Sequence, residues 1–254
     1  MRRTKTGLDS LDKILKGGIP KEKVILISGG PGTGKTILCL QTLYNGATKY
    51  KEPGVYVSTE QNIKGLKEQG KAFGWDFEKL EKKKLIKIIK IDVSKGEEAL
   101  KDIEKAVKSI KAKRLVIDSL TTLSEFASLQ TLKENSYELV KGIQDIIPVP
   151  LTESLVTKNI LFKILDGIKE LKCTTLVISE LAEESVWLSR DTVSEFLCDG
   201  IILLYFVGIG GENYNHIQIR KMRYTDFERG YFPFKFTKKG IKINIDESVS
   251  VLMK

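Results

Sequence analysis

The sequence predicts an α/β protein built on a mostly parallel, twisted β-sheet that is flanked by helices. Short apolar runs alternate with amphipathic stretches, which is the pattern of consecutive βαβ units. The run Val24–Ser28 begins this pattern, because a glycine-rich turn and then a helical stretch follow it. After Gly208 the sequence changes to alternating residues from His216 to Met222, which predicts an antiparallel hairpin as a C-terminal extension.

The individual elements follow in chain order. Apolar runs of strand length predict strands at Val24–Ser28, Val55–Ser58, Leu85–Ile91, Arg114–Asp118, Thr174–Ile178 and Gly200–Phe206. Apolar residues on one helical face predict helices at Lys35–Tyr50, Asn62–Phe73, Gly96–Ile110 and Lys158–Leu171. Short strands are expected from Tyr231 to Ile245.

The chain of 254 residues, 41% of them hydrophobic, is long enough for one sizeable core. No linker or internal repeat divides it, so we expect a single domain over residues 1–254. A helical insertion is expected at about 125–157, with a helix from Leu132 to Ile147 that ends before Pro148. It is interpreted either as a lid or partner surface or as a helical hairpin without a role.

Several features limit the chemistry and the location. No apolar run reaches the ~18 residues of a membrane span, and the basic N-terminus lacks the apolar segment of a signal peptide, so a cytoplasmic protein without membrane contact is expected. Cys39, Cys173 and Cys198 lack metal-ligand spacing, and their odd number argues against a disulfide framework. With His216 as the single histidine, catalysis would depend on carboxylates, lysine, arginine and a metal.

The net charge of +9 comes largely from the stretch Lys79–Arg114, where lysines alternate with glutamates and aliphatic residues. Such a stretch is either a nucleic-acid-binding face or a solvated surface of alternating charges. Carboxylates interrupt the basic runs and few aromatic residues accompany them, which favours the solvated surface.

The residues Gly29–Thr36 fit the pattern G-x-x-x-x-G-K-S/T between a strand and a helix. The glycines allow backbone N–H groups to point at phosphates, and the helix N-terminus adds the positive end of its dipole. Lys35 would reach the β- and γ-phosphates of a nucleotide. We expect the phosphates of ATP to be bound by Gly30, Pro31, Gly32, Thr33, Gly34, Lys35, Thr36 and Ile37.

A Mg²⁺ ion is expected beside Thr36 and Asp118. The threonine hydroxyl is the metal ligand of this motif, and Asp118 ends a buried strand where a carboxylate can orient a water on the ion. Glu60, just after Val55–Ser58, is expected to orient and polarise the attacking water. This expectation assumes that Val55–Ser58 is the strand next to the phosphate-loop strand and ends on the same side.

Several segments resemble signatures of the RecA/KaiC superfamily of P-loop ATPases. They are the lead-in Thr6–Asp12 with Gly17–Pro20, the segments Gln41–Gly46 and Phe73–Asp76, and the strands Val116–Leu120 and Lys221–Arg223. The resemblance extends from Thr6 to about Ile243 and indicates a single-domain, KaiC-like protein of archaeal type.

The resemblance implies a RecA-like core, a homo-oligomeric ring such as a hexamer, and ATP bound between neighbouring subunits. Glu60 falls on the first of two adjacent catalytic carboxylates, and Gln61 replaces the second, which implies slow hydrolysis. Lys221 and Arg223 fall on residues that reach the γ-phosphate of the adjacent subunit. Ser194-Glu195 replaces a phosphorylated Ser-Thr pair, so no phosphorylation cycle is expected.

Alternative functions remain open. The favoured one is slow ATP hydrolysis that drives signalling or an assembly change through an unidentified protein partner. A RadA/RadB-like recombinase or accessory DNA-binding ATPase would share the core, but the loop Leu181–Glu195 is acidic, which suits nucleic acid poorly. A nucleotide-gated scaffold with almost no turnover is suggested by Gln61.

Overall fold

A computed structural model describes residues 1–95, 97–125, 149–181, 187–209 and 212–246. The predicted helix from Leu132 to Ile147, and with it most of the predicted insertion, lies outside the described residues.

The strands and helices are numbered in chain order. The strands are β1 (Arg3–Thr4), β2 (Ile19–Pro20), β3 (Val24–Gly29), β4 (Gly54–Ser58), β5 (Ile86–Lys90), β6 (Arg114–Asp118), β7 (Thr174–Glu180), β8 (Gly200–Ile209), β9 (Glu212–Met222), β10 (Phe232–Thr237) and β11 (Gly240–Ile243). The helices are α1 (Asp9–Ile14), α2 (Lys35–Lys49), α3 (Ile63–Ala72), α4 (Phe77–Lys82), α5 (Glu97–Ser109), α6 (Val149–Glu170) and α7 (Ser194–Leu197).

The main sheet has nine strands in the order β11-β10-β9-β8-β3-β7-β6-β4-β5. The strands from β8 to β5 are parallel to one another, whereas β8, β9, β10 and β11 pair in antiparallel fashion. The predicted fold class is therefore confirmed: a mostly parallel sheet carries a C-terminal antiparallel extension.

One assumption about strand order is wrong. β4 follows β3 in the chain, but β7 and β6 lie between them in the sheet. After β3 the chain crosses to β4, and the later strands β6 and β7 are inserted between them. The sequence does not reveal this order, because it contains no direct information on pairing between distant strands. Glu60, just after β4, therefore does not lie on the strand next to β3.

Helices cover both faces of the parallel sheet. On β3, Ile25 and Ile27 face the core formed with α2, α3 and α4, whereas Val24 and Leu26 face the core formed with α5 and α6. A strand buried on both faces has no polar face, which explains why the predicted strands read as continuous apolar runs.

The helix boundaries correct the sequence interpretation at one place. α6 begins at Val149, nine residues before the predicted Lys158, so residues 149–157 extend that helix. Pro150 is tolerated there because the first turn of a helix has N–H groups without intrahelical partners. Among the described residues, no helix is long and apolar enough to cross a membrane.

Exposed or partly exposed ion pairs form on α3, α4 and α5, within and just before the lysine-rich stretch Lys79–Arg114. They are Lys67–Glu81, Lys71–Glu78, Lys105–Asp102 and Lys108–Glu104. Each lysine of these four pairs is close to a carboxylate, which fits a solvated surface of alternating charges. The three cysteines are free and buried.

Candidate active site

The phosphate-loop motif lies where β3 gives way to α2. β3 ends at Gly29, α2 begins at Lys35, and residues 30–34 connect them. Gly34 has a φ of 96°, and a Cβ there would lie 2.7 Å from Cζ of Phe236. The turn therefore requires glycine at this position, both for the backbone conformation and for the close approach of the phenyl ring.

The Lys35 ammonium lies inside the loop. Its Nζ donates hydrogen bonds to the carbonyl oxygens of Gly29 at 2.9 Å and Gly30 at 2.8 Å. Burial lowers the pKa of Lys35, while the negative charges of Glu180 and Asp118 act in the opposite direction. The loop therefore holds a largely desolvated cation next to the N-terminus of α2, an arrangement suited to binding an anion.

Thr36 and Asp118, the two residues expected beside Mg²⁺, are in direct contact. The Thr36 hydroxyl donates to Oδ2 of Asp118 at 2.8 Å, and the buried Tyr56 hydroxyl donates to the same oxygen at 2.5 Å. Burial raises the pKa of Asp118, and the hydrogen bonds from Tyr56 and Thr36 oppose that change. The carboxylate is thereby fixed in position by two donors from different elements.

These oxygen atoms fit a hard divalent cation. Mg²⁺ prefers oxygen ligands and commonly combines one or two protein groups with phosphate oxygens and water. Thr36 uses its proton on Asp118 and keeps its oxygen lone pairs available for a metal. Within the described ranges, no cluster of three or more His, Cys, Asp or Glu side chains could hold a metal by itself. Any Mg²⁺ here would therefore depend on a bound phosphate.

Glu60 joins this site through the residues that follow β6. The hydroxyl of Thr122 donates to Oε1 of Glu60 and lies 2.9 Å from Oγ of Ser119. Glu60 is exposed, and its charge contributes to the raised pKa of Asp118. The structure thus brings Glu60 to the side of Asp118 although β7 and β6 separate β4 from β3. Gln61, the next residue, is also exposed.

Glu180 is a site residue that the sequence interpretation missed. β7 extends to Glu180, two residues beyond the predicted end at Ile178, and Glu180 pairs with Gly29 across the parallel ladder. Its carboxylate is the strongest of the negative charges acting on Lys35. The sequence signal was available, because an acidic residue directly follows an apolar strand, as at Asp118.

Lys221 and Arg223 lie at the opposite end of the parallel strands from the phosphate loop, where β3 begins. Arg223 N–H donates to the Asp199 carbonyl, and Asp199 N–H donates to the Val24 carbonyl at the start of β3. Arg223 also lies 3.6 Å from the Asp199 carboxylate. Gly29 follows Val24 by five residue steps along β3, or about 16 Å. Lys221 and Arg223 therefore do not join the phosphate-loop residues of their own chain.

The cationic side chains at that edge are held by backbone carbonyls. Lys221 Nζ donates to the carbonyl oxygens of Glu195 at 2.9 Å, Phe196 at 3.3 Å and Cys198 at 2.7 Å. Arg223 donates to the Phe196 carbonyl at 3.3 Å. Burial and the Arg223 charge lower the pKa of Lys221. The carbonyls at the end of α7 thus fix both cations at this surface.

Comparisons with known proteins found similar sequences over almost the whole chain. The family model for the ATPase KaiC matches residues 4–147 and 143–248. The chain is 32% identical to a UPF0273 protein of Methanocaldococcus jannaschii over 247 residues, which cover 97% of this chain and 98% of the relative. A UPF0273 protein of Thermotoga maritima is also 32% identical, over 260 residues that cover 96% of each chain.

A solved structure and a longer relative extend the comparison. The crystal structure of the KaiC-like protein PH0186 from Pyrococcus horikoshii has a TM-score of 0.78 and 32% identity, and the match covers 96% of this chain and 99% of the other. The circadian clock oscillator protein KaiC of Parathermosynechococcus lividus is 29% identical, but the match covers only 42% of its length.

Proposed function

This chain belongs to the KaiC family of ATPases, and on that premise we propose that it binds ATP with Mg²⁺ and hydrolyses it slowly. The observation that carries the proposal is the contact between Thr36 of the phosphate loop and Asp118 of β6, beside the buried ammonium of Lys35. Lys35 supplies a positive charge for the phosphates of a nucleoside triphosphate, and Thr36 and Asp118 supply oxygen atoms for its metal ion.

In this proposal the triphosphate binds along the loop of residues 30–34 and the N-terminus of α2. Lys35 exchanges its carbonyl contacts for the β- and γ-phosphates. Thr36 and Asp118 would hold Mg²⁺, which when bound neutralises charge on those phosphates. The exposed ring of Phe236, beside Gly34, offers an apolar surface next to the bound nucleotide.

Glu60 is proposed to orient the attacking water. The water oxygen forms a bond to the γ-phosphorus, the bond from that phosphorus to the β–γ bridging oxygen breaks, and ADP leaves with the electron pair. The proton of the water passes to Glu60, whose carboxylate Thr122 holds in place. Gln61 is neutral and cannot accept the proton as a second catalytic carboxylate would, which is why slow turnover is expected.

Lys221 and Arg223 are proposed to complete the site of a neighbouring subunit. They lie at the edge opposite the phosphate loop, so only a head-to-tail contact between copies would bring the two together. Repeating such a contact with a closing rotation produces a ring. A cation supplied from outside the phosphate-loop subunit would stabilise charge in the transition state. A nucleotide-dependent change in this contact would carry the signal to a protein partner.

The test uses the purified full chain. Phosphate release should require both ATP and Mg²⁺, and the particle mass should show an oligomer with ATP. Glu60→Gln should lower turnover about 10²-fold while ATP binding persists. Glu68→Gln, on the exposed surface of α3, is the matched control and should hydrolyse ATP at the wild-type rate. A wild-type chain without affinity for ATP, or a strict monomer at saturating ATP, would contradict the corresponding part of the proposal.

A further inference from the structure

The strand order places another carboxylate closer to the phosphate loop than Glu60. β7 is the direct neighbour of β3, β6 comes next and β4 follows. The carboxyl ends of these strands carry Glu180 on β7, Asp118 on β6 and Glu60 just after β4. Because parallel strands end at the same edge, these carboxylates form a row that begins at the phosphate loop. Glu180 is the first member of that row.

Backbone contacts fix the position of Glu180 at the loop. The Glu180 N–H donates to the Thr121 hydroxyl at 3.3 Å, and the Leu181 N–H donates to the Gly29 carbonyl at 3.1 Å. That same carbonyl accepts a hydrogen bond from Lys35 Nζ at 2.9 Å. The end of β7 and the lysine ammonium therefore share one acceptor atom. The Glu180 side chain is exposed at this edge.

The charge of Glu180 has a chemical consequence at that position. A carboxylate beside a γ-phosphate repels it, so direct contact between the two anions is unfavourable. A water molecule between them removes this conflict, because the water donates to the carboxylate and presents its oxygen to the phosphorus. The Lys35 ammonium shares the Gly29 carbonyl with the Leu181 N–H at the end of β7 and would offset part of the repulsion.

We propose that Glu180 is the second water-binding carboxylate of this site, in place of the one that Gln61 does not provide. Its carboxylate accepts one hydrogen bond from the attacking water and orients the water oxygen toward the γ-phosphorus. The proton that is lost in the reaction passes to Glu60, the β–γ bridging bond breaks, and ADP leaves with its electron pair. This inference rests on the proposed ATPase function.

A variant without the Glu180 charge should change turnover and nucleotide binding in opposite directions. Glu180→Gln should lower kcat about 10²-fold, because the amide is a weaker acceptor for the attacking water. The same change should tighten binding of a non-hydrolysable ATP analogue about threefold, because a repulsive charge beside the γ-phosphate is removed. Affinity for ADP, which lacks the γ-phosphate, should stay within about twofold of wild type.

Asp92→Asn is the matched control. Asp92 is an exposed carboxylate that also lies beyond the carboxyl end of a strand. That strand is β5, the outermost strand of the sheet, and the Asp92 carboxylate accepts hydrogen bonds from Ser94. This variant loses the same charge and should retain wild-type kcat and nucleotide affinity. Glu180→Asp keeps the charge on a shorter side chain and should recover part of the turnover, with analogue affinity near wild type.

The outcomes distinguish this inference from the function on which it rests. An inactive wild-type chain with no affinity for ATP contradicts both. An active wild type with unchanged kcat in Glu180→Gln contradicts the role of Glu180 and leaves the ATPase proposal intact. Equal weakening of ATP-analogue and ADP binding in Glu180→Gln would assign Glu180 a structural role and also overturn the inference.

Discussion

The parallel strands carry different groups at their two ends, which are called here the two edges of the sheet: the edge where the strands end and the edge where they begin. At the edge where the strands end, Lys35 lies in the loop and Glu180, Asp118 and Glu60 follow on successive strands. At the edge where the strands begin, Lys221 and its neighbour Arg223 are bound to carbonyl oxygens. The carboxyl ends of the strands carry these carboxylates around Lys35, whereas the opposite ends carry Lys221 and Arg223.

The difference shows why one chain would not complete the site alone. Helices that follow parallel strands begin at the carboxyl ends, so backbone N–H groups for an anion gather at that edge. The cations lie about 16 Å away along β3 and cannot reach the loop of their own chain. If two copies stack head to tail, each edge supplies what the other lacks. The following predictions test this relation between the edges.

The largest effect is expected at the phosphate-loop edge itself. Lys35→Ala should lower ATP turnover about 10³-fold, because a preorganised cation facing the transferred phosphate is removed. Multiple-turnover phosphate release measures the effect. Lys51→Ala is the control, since Lys51 is exposed just beyond the end of α2 and its ammonium donates to the Thr48 carbonyl. Near-wild-type turnover in Lys35→Ala would remove the loop from the mechanism.

The metal-binding part of the same edge is expected to give the next largest effect. Asp118→Asn keeps an acceptor for Thr36 and Tyr56 but loses the charge that helps to hold Mg²⁺. Turnover should fall about 10²-fold at low Mg²⁺ and partly recover as the Mg²⁺ concentration is raised. A loss that is equal at every Mg²⁺ concentration would show that Asp118 acts without the metal.

A smaller effect is expected from the opposite edge. Arg223→Ala should lower turnover about tenfold, less than for a single arginine finger, because Lys221 remains. Mixing this variant with Lys35→Ala should restore activity, since an intact loop can then meet an intact Arg223 across a subunit contact. Arg223 is half-exposed, so its ion pair with Asp199 contributes little to folding.

That mixing experiment has a direct control. In a mixture of Arg223→Ala with wild-type subunits, the activity should not exceed the value calculated from the fraction of subunit contacts that contain an intact Arg223. Failure of the two impaired variants to complement each other, while both still assemble, would contradict the head-to-tail arrangement and show that the two ends of the strands act independently.

The sequence predicted features formed by residues close together in the chain better than features formed by residues far apart in the chain. The phosphate loop is contiguous, so Gly29–Thr36 carried its own signal, and the alternation of strands and helices gave the fold class. Glu180 was missed because its importance depends on β7 being inserted next to β3, a pairing between residues far apart in the chain. The assumed neighbour of β3 was wrong for the same reason.

Side-chain contacts at the opposite edge were equally invisible to sequence patterns. The strand Lys221–Arg223 was identified through its resemblance to a family signature, but nothing in its spacing indicates that Lys221 bonds to the carbonyls of Glu195 and Cys198. Those bonds depend on where α7 ends relative to β9. They explain how two long side chains keep a defined position at a surface.

The smallest effect is expected at Phe196, which lies beside these cations. Its ring is 65% exposed, while its carbonyl accepts hydrogen bonds from Lys221 and Arg223. Phe196→Ala should change the free energy of unfolding by less than about 0.5 kcal/mol, because little buried contact is lost. Subunit association should weaken by about 1 kcal/mol if the ring packs against the neighbouring phosphate-loop edge. Sedimentation with ATP measures this change, and Phe162→Ala, which removes a ring 48% exposed on α6, should leave association unchanged. Equal weakening in both variants would show that the contact between copies is not confined to the edge that carries the cations.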